Sequence, residues 1–172
     1  MAGFIIPIEN DVNVYVENLS LEEDGSAIND AVMVAHFGEV LTPQPVVTNA
    51  TNTSPIVVTA PGHGFSNGEF VIVSRVRGNP AANGLWEVAN VSGDTFELVG
   101  STGDGAYHDG GILFPAVGGA TDIELVHQGG MRYMGQIGQH NEMVEGRRYQ
   151  CVIECSNYGL KLELTGLARV RS

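Results

Sequence analysis

Lysine and arginine are scarce in this sequence, contributing 8 of 172 residues against 20 Asp and Glu, for a formal net charge of −12. None precedes Arg75, whereas Arg132, Arg147, Arg148, Lys161, Arg169 and Arg171 crowd the final third. Affinity for nucleic acid rests largely on Lys and Arg displacing condensed counterions, so neither DNA nor RNA is an expected partner. Cysteine is nearly absent as well. Cys151 and Cys155 stand four apart in a strand-like run, which at about 3.3 Å per residue separates their Cα atoms by roughly 13 Å. A mutual disulfide needs less than about 7 Å. With no His or Cys at ligand spacing, both thiols read as small buried apolar groups, and no metal or cofactor is expected.

A membrane-length apolar run is missing too. The opening MAGFIIPIENDV has no basic n-region, and Pro7 interrupts its apolar stretch from Phe4 to Ile8. No membrane partner is expected, and the product is expected to be made in the cytoplasm. The sequons at Asn18, Asn49, Asn52 and Asn90 then read as chance in a β protein rich in Asn, Ser and Thr.

What the chain does contain is glycine, 23 residues, within a 43% hydrophobic composition. Glycine is costly inside helices, so this balance favours turns and short strands over long helices. Val12, Val14 and Val16 alternate with Asn13, Tyr15 and Glu17, as a half-buried strand requires. Ala31 to Phe37 is a second, more continuously apolar run. Residues 42–54, rich in Pro, Thr and Asn, read as a crossing between units. Short strands follow (IVVTA, FVIVSRV, LWEVANV, TFELVG), with turn signals at PGHG, Asn67-Gly68, Asn83-Gly84 and Ser92-Gly93-Asp94. A glycine loop from Gly100 to Gly111 precedes ILFPA, and four further strand-like runs complete the chain.

Neither flank suffices for a fold of its own, but together they approach the roughly 100 residues of an immunoglobulin-like sandwich. The expected architecture is therefore all-β: a discontinuous immunoglobulin-like antiparallel β-sandwich from residues 1–44 plus 119–172, with residues 45–118 forming an inserted small β-barrel-like domain. Tyr149, two residues before Cys151 at the start of a strand, has the spacing of the tyrosine corner of sandwich folds.

Two resemblances refine this picture. The flanks, with DVNVYVENL, DGSAINDAVMVAHFG, MRYMGQIGQ, VEGRRYQCVIEC and LARVR, resemble an immunoglobulin-like module common in tailed-phage particles. The insert, from Pro61 to Phe114, resembles the first catalytic cysteine half-domain of ubiquitin-activating enzymes. The residues that carry the likeness are His63-Gly64-Phe65, Gly68-Glu69-Phe70, Asn83-Gly84, Thr95-Phe96 and Gly110-Gly111. Gly64, Gly68, Gly84, Gly110 and Gly111 suit positive-φ turns, and Phe65, Phe70, Trp86 and Phe96 are large enough to fill a small core. The insert holds no cysteine and the chain no phosphate-cradling glycine loop before a helix, so only the scaffold is carried over. Sequences resembling this half-domain recur in bacteriophage structural proteins. The resemblance thus implies a non-enzymatic virion component of capsid surface, neck, tail or baseplate, whose partners are other virion proteins and copies of itself.

Candidate chemistry is thin. His36, His63, His108, His127 and His140 are scattered, Ser20, Ser66, Ser74 and Ser92 lack a nucleophile-elbow setting, and Glu22/Glu23 and Glu142/Glu145 read as solvated turns. Asp104, His108 and Asp109 are the candidate ligands should the glycine loop bind a cation, although their spacing fits no EF-hand. An interface is expected at Arg169 and Arg171, where the basic tail of one copy meets the acidic N-terminal half of the next. The alternative function is a carbohydrate-binding module of a tail tip, with Trp86, Tyr107 or Tyr158 stacking on a host glycan.

Overall fold

The computed structural model describes residues 4–7, 12–20, 23–118, 123–137, 143–158 and 160–169. They form an all-β chain. In order the strands are β1 (Phe4–Pro7), β2 (Val12–Val16), β3 (Met33–Glu39), β4 (Asn49–Ala50), β5 (Ile56–Thr59), β6 (Phe70–Arg77) and β7 (Gly84–Ser92). There follow β8 (Thr95–Leu98), β9 (Asp109–Pro115), β10 (Ile123–Gly129), β11 (Arg132–Ile137), β12 (Arg148–Cys155) and β13 (Leu160–Arg169). Among the described residues the one helical element is a 3₁₀ turn at Pro80–Ala82. The chain divides into two compact units, Met1–Phe37 with Thr121–Ser172, and Gly38–Ala120.

The contiguous unit is a six-stranded antiparallel sheet in the order β4-β5-β8-β7-β6-β9. Alternation explains its core: Ile56 and Val58 face inward from β5, Phe96 and Leu98 from β8, and the register pairs Ile56 with Leu98 and Val58 with Phe96. All four are fully buried, each contributing on the order of 1.5–3 kcal/mol relative to exposure. Val71, Val73, Val88 and Leu113 belong to the same cluster. The two ends of the sheet meet where Val46 bridges Ile112 and the Val47 N–H donates to the Gly111 carbonyl at 3.0 Å. A nearly closed barrel results.

Turn chemistry departs from the expectation in two places. Gly93-Asp94 is a two-residue link between β7 and β8, with Gly93 at φ +61. Asn83-Gly84, by contrast, ends a longer connection through the 3₁₀ turn. The Asn83 amide accepts the Val76 N–H (2.8 Å) and donates to the Val76 carbonyl (3.0 Å), a side chain standing in for a strand partner. Asn67-Gly68 makes no hairpin, because it lies between β5 and β6, which are not sheet neighbours.

In the discontinuous unit one hydrogen-bonded order, β1-β13-β12-β3-β10-β11-β2, curls into a half-barrel. Strand β10 changes partner along its length: Ile123 to Leu125 pair with β3, whereas Val126 to Gly129 pair with β11. The β1 strand runs parallel to β13, Phe4 opposite Gly166. Two tyrosines, each 1% exposed, lock loops to this sheet. The Tyr149 hydroxyl accepts the Val144 N–H at 2.7 Å. The Tyr133 hydroxyl accepts the Ala31 N–H (2.9 Å) and donates to the Ile28 carbonyl (3.2 Å).

Replacing Tyr133 by Phe keeps the ring but strands a buried donor and acceptor, so Tyr133→Phe is expected to lower unfolding free energy by about 1–3 kcal/mol. Urea titration followed by far-UV circular dichroism measures it. An unchanged midpoint would mean that the hydroxyl does not hold the loop.

Candidate functional site

The histidine of the His63-Gly64-Phe65 turn is 6% exposed. Its Nδ1 accepts the Phe65 N–H at 2.9 Å, so that nitrogen is bare and Nε2 carries the proton, donated to the Gly93 carbonyl at 3.1 Å. The ring stacks on Phe65 (centroids 5.7 Å) and meets the edge of Phe96 (4.9 Å). Both ring nitrogens are thus hydrogen-bonded to the backbone of the same unit. Nearby, Glu69 Oε2 accepts the Ser66 N–H (2.9 Å) and the Thr95 hydroxyl donates to the Ser92 carbonyl (2.8 Å).

Gly64, Gly68 and Gly84 adopt φ of +72, +86 and +136. Of the four expected core aromatics, Phe65 and Phe96 lie in the barrel cluster and Trp86 packs against its margin. Phe70 does not belong to that cluster: it alternates with Val71 and Val73 along β6, which puts its half-buried ring on the other face.

The three residues considered for sugar stacking are variously occupied. The Trp86 indole N–H donates to the Ala82 carbonyl at 3.0 Å. Tyr107 packs against the barrel core, and its one hydroxyl proton is shared between the Val47 (3.1 Å) and Gly110 (2.9 Å) carbonyls. Burial and the adjacent Asp109 charge both push its phenol upward. Tyr158 is exposed but donates to Asp30 Oδ1 at 2.7 Å.

The glycine loop is shaped by close backbone approach. A Cβ on Gly78 would fall 2.2 Å from the Ala106 carbonyl oxygen, and one on Gly105 2.1 Å from that of Gly78. Fully buried Asn79 ties the loop down, donating to the Thr51 carbonyl (3.0 Å) and accepting the Asp104 N–H (3.2 Å). The candidate cation ligands point to protein partners: Asp104 accepts the Ala81 N–H (3.2 Å), while Asp109 pairs with Arg77 and with His108 Nδ1. Partial desolvation pushes the Asp109 carboxyl upward, but the hydrogen bonds from Arg77 and His108 outweigh it and hold it below the usual carboxylate range. Among the described residues no three His, Cys, Asp or Glu side chains are grouped to hold a metal ion.

In the other unit Cys151 and Cys155 are buried and free. Val152, between them on the opposite face of β12, is fully buried as well. The Arg169 side chain and all of Arg171 lie outside the described residues, as do His140, Glu22 and Glu142. Part of the charge asymmetry along the sequence is closed within the unit, since β11 lies beside β2: Arg132 pairs with Glu17 (3.4 Å) and covers the Tyr15 ring at 4.4 Å.

One feature was not singled out from sequence as a site. Arg75 and Arg77 line a groove of about 660 Å³ at the barrel seam, together with Val46, Val47, Gly111 and Ile112. Strand alternation from Val71 and Val73 would send both arginines into the core and Val76 out. Arg75 instead adopts φ +66, opposite Gly111 at φ +107, and the inward face shifts by one residue to Val76. Ser74 still pairs with Ile112 and Val76 with Gly110, so no residue is inserted. A left-handed arginine costs on the order of 1–3 kcal/mol, which the surrounding ladder must offset. The signal available in the sequence was the RVR triplet closing an apolar strand, where a regular strand would bury charge.

No protein-family model matches the chain, and no curated protein matches it.

Burial pushes the Cys151 thiol up to about 12. Near pH 8 the native protein is therefore expected to leave Cys151 unmodified by a thiol reagent that labels it fully after unfolding, as peptide mapping by mass spectrometry would show. A raised folded pKa means stability is complete below the unfolded value near 9 and falls as pH climbs from there towards about 12. Rapid native labelling would contradict this burial.

Proposed function

We propose that the chain is a non-enzymatic structural component of a tailed-phage particle, acting through protein–protein contacts in several copies. On this reading the discontinuous unit is an immunoglobulin-like module, supported by the Tyr149 hydroxyl accepting a backbone N–H five residues upstream and by the mid-strand transfer of β10 between partners. The barrel is the inserted half-domain scaffold. Its partners are other virion proteins and further copies of itself, and its location is the virion.

The observation that carries the reading is where the chemically able side chains are used. His63, Asn79, Asn83, Trp86, Tyr107 and Tyr149 all spend their polar atoms on backbone groups of the same unit. Such an economy serves shape. Strand β13 presents the complementary feature, with Leu162 and Leu164 at 45% and 40% exposure on one face of the strand, an apolar strip suited to a protein neighbour.

Gold-labelled antibody against the chain is expected to decorate intact particles at a repeated position, with the protein recovered from purified virions by mass spectrometry. Its absence from particles would end the reading. Leu162→Asp with Leu164→Asp should change stability by no more than about 1 kcal/mol, yet reduce incorporation into particles about tenfold. Arg169→Ala with Arg171→Ala tests the charge-pairing component separately: subunit association undiminished in that variant would remove it.

A further inference from the structure

We infer that the outer edge of β13 pairs with the same edge of a second copy of this chain, antiparallel and about a two-fold axis at Leu162. The inference rests on the several-copy part of the assembly reading and gives the exposed leucines of β13 their occupant. It is tested on the free chain, so pairing in solution and presence in particles can fail independently.

The backbone defines the edge. Strand β13 runs from Leu160 to Arg169, but its parallel partner β1 meets it only from Gly166 to Arg169. On the other side β12 accompanies it from Leu160 to Leu167. Among the described residues, Leu160 to Thr165 are therefore paired on one side alone. The Ala168 N–H donates to the Arg147 carbonyl and the Ala168 carbonyl accepts the Gly146 N–H, both at 3.0 Å, so this residue turns both groups towards the β12 side. Backbone direction alternates along an antiparallel ladder, which sends Leu162 and Leu164 the same way and points the N–H and C=O of Lys161 and Glu163 outward. An open row of this kind takes an added strand.

The side chains show how far the core reaches. Leu162 stands opposite Ile153 and Leu164 opposite Cys151, and residues paired across strands share a face of the sheet. Both leucines thus continue the buried side of β12. Ile153 and Cys151 are 3% and 1% exposed, whereas Leu162 and Leu164 are 45% and 40% exposed. The core face runs out onto a strand that has no strand beyond it at this level among the described residues. A further strand laid along that edge carries the face onward and takes both leucines out of water.

Residue order selects a second copy as the occupant. In Leu160-Lys161-Leu162-Glu163-Leu164 the leucines read the same in both directions and the two charges exchange sign. Turned about Leu162, the strand sets leucine against leucine and Lys161 of each copy against Glu163 of the other. Turning about Lys161 or Glu163 instead sets a charge against itself, which is destabilising. In the favoured register Lys161 and Glu163 exchange backbone hydrogen bonds, and Leu162 falls at the close, non-hydrogen-bonded position where facing side chains approach most. Lys161 also holds Glu154 of its own chain at 2.9 Å. The charges therefore choose the register, whereas the backbone row and the leucines supply the attraction. Because a two-fold pairing closes on itself, it uses up the edge and starts no fibre.

Sedimentation equilibrium of the full chain is expected to show a reversible equilibrium between monomer and dimer. Amide hydrogen exchange followed by NMR reads the edge itself: Leu162 and Leu164 should be protected at every concentration, Lys161 and Glu163 only where the dimer dominates. Glu163→Pro removes an outward N–H that β12 does not use, so Leu162 and Leu164 should stay protected while the dimer dissociation constant rises at least about tenfold. Glu163→Lys should weaken the dimer by facing Lys161 of the second copy with a like charge, and adding Lys161→Glu should recover it. A chain that stays monomeric up to about 1 mM, concentration-dependent protection on β2 instead of β13, or undiminished dimerisation of a folded Glu163→Pro would each overturn the assignment. Should Glu163→Pro unfold, the charge exchange decides: a double variant that dimerises no more tightly than Glu163→Lys overturns the pairing.

Discussion

Closure of the barrel along one short backbone seam is the constraint from which much of the contiguous unit follows. A six-stranded sheet has two edges, and unpaired edges are both unstable and adhesive. Here the edges are brought together by the Val46 and Ile112 bridge and the Val47 to Gly111 hydrogen bond, which demand that Gly111 carry no Cβ. The Tyr107 hydroxyl covers the carbonyls on both sides of the join. The left-handed turn of Arg75 lies directly across from Gly111 in the same ladder. Sealing the core and presenting two guanidinium groups are consequences of one local distortion.

The all-β character was legible because two-faced strands write their burial into their residues. In IVVT and TFEL each alternate side chain is apolar, and the structure buries Ile56, Val58, Phe96 and Leu98. Two-residue turn chemistry at Gly93-Asp94 was equally readable. What sequence did not reveal depends on non-local pairing. Nothing in FIIP marks a parallel partner near the other end of the chain, nothing in IELVHQG marks a strand shared between two partners, and Asn83 advertises a turn while serving as a surrogate strand. Phe70 was assigned to the core by size, but strand phase, not size, decides which face a ring occupies.

The same limit applies to the candidate sites. His63, Phe65, Phe96 and the motif glycines could be singled out because a compact run of unusual residues carries them. Core filling by Phe65 and Phe96 follows from their size, whereas the two backbone hydrogen bonds of His63 required the structure. Arg75 and Arg77 stood in plain view as the barrel's sole cations, yet regular alternation placed them wrongly, since φ is invisible in a letter code. Tyr133 was missed for a related reason: its hydroxyl secures backbone at Ile28 and Ala31, more than a hundred residues away in the chain.

The parallel pairing of β1 with β13 bears on how the protein is made. A nascent chain emerges from its N-terminus, so residues 4–7 leave the ribosome long before residues 166–169 exist to receive them. The barrel, being contiguous, has all its strands available in between and can close first. Translation therefore separates the two units in time: the contiguous barrel can mature while β1 still waits for β13.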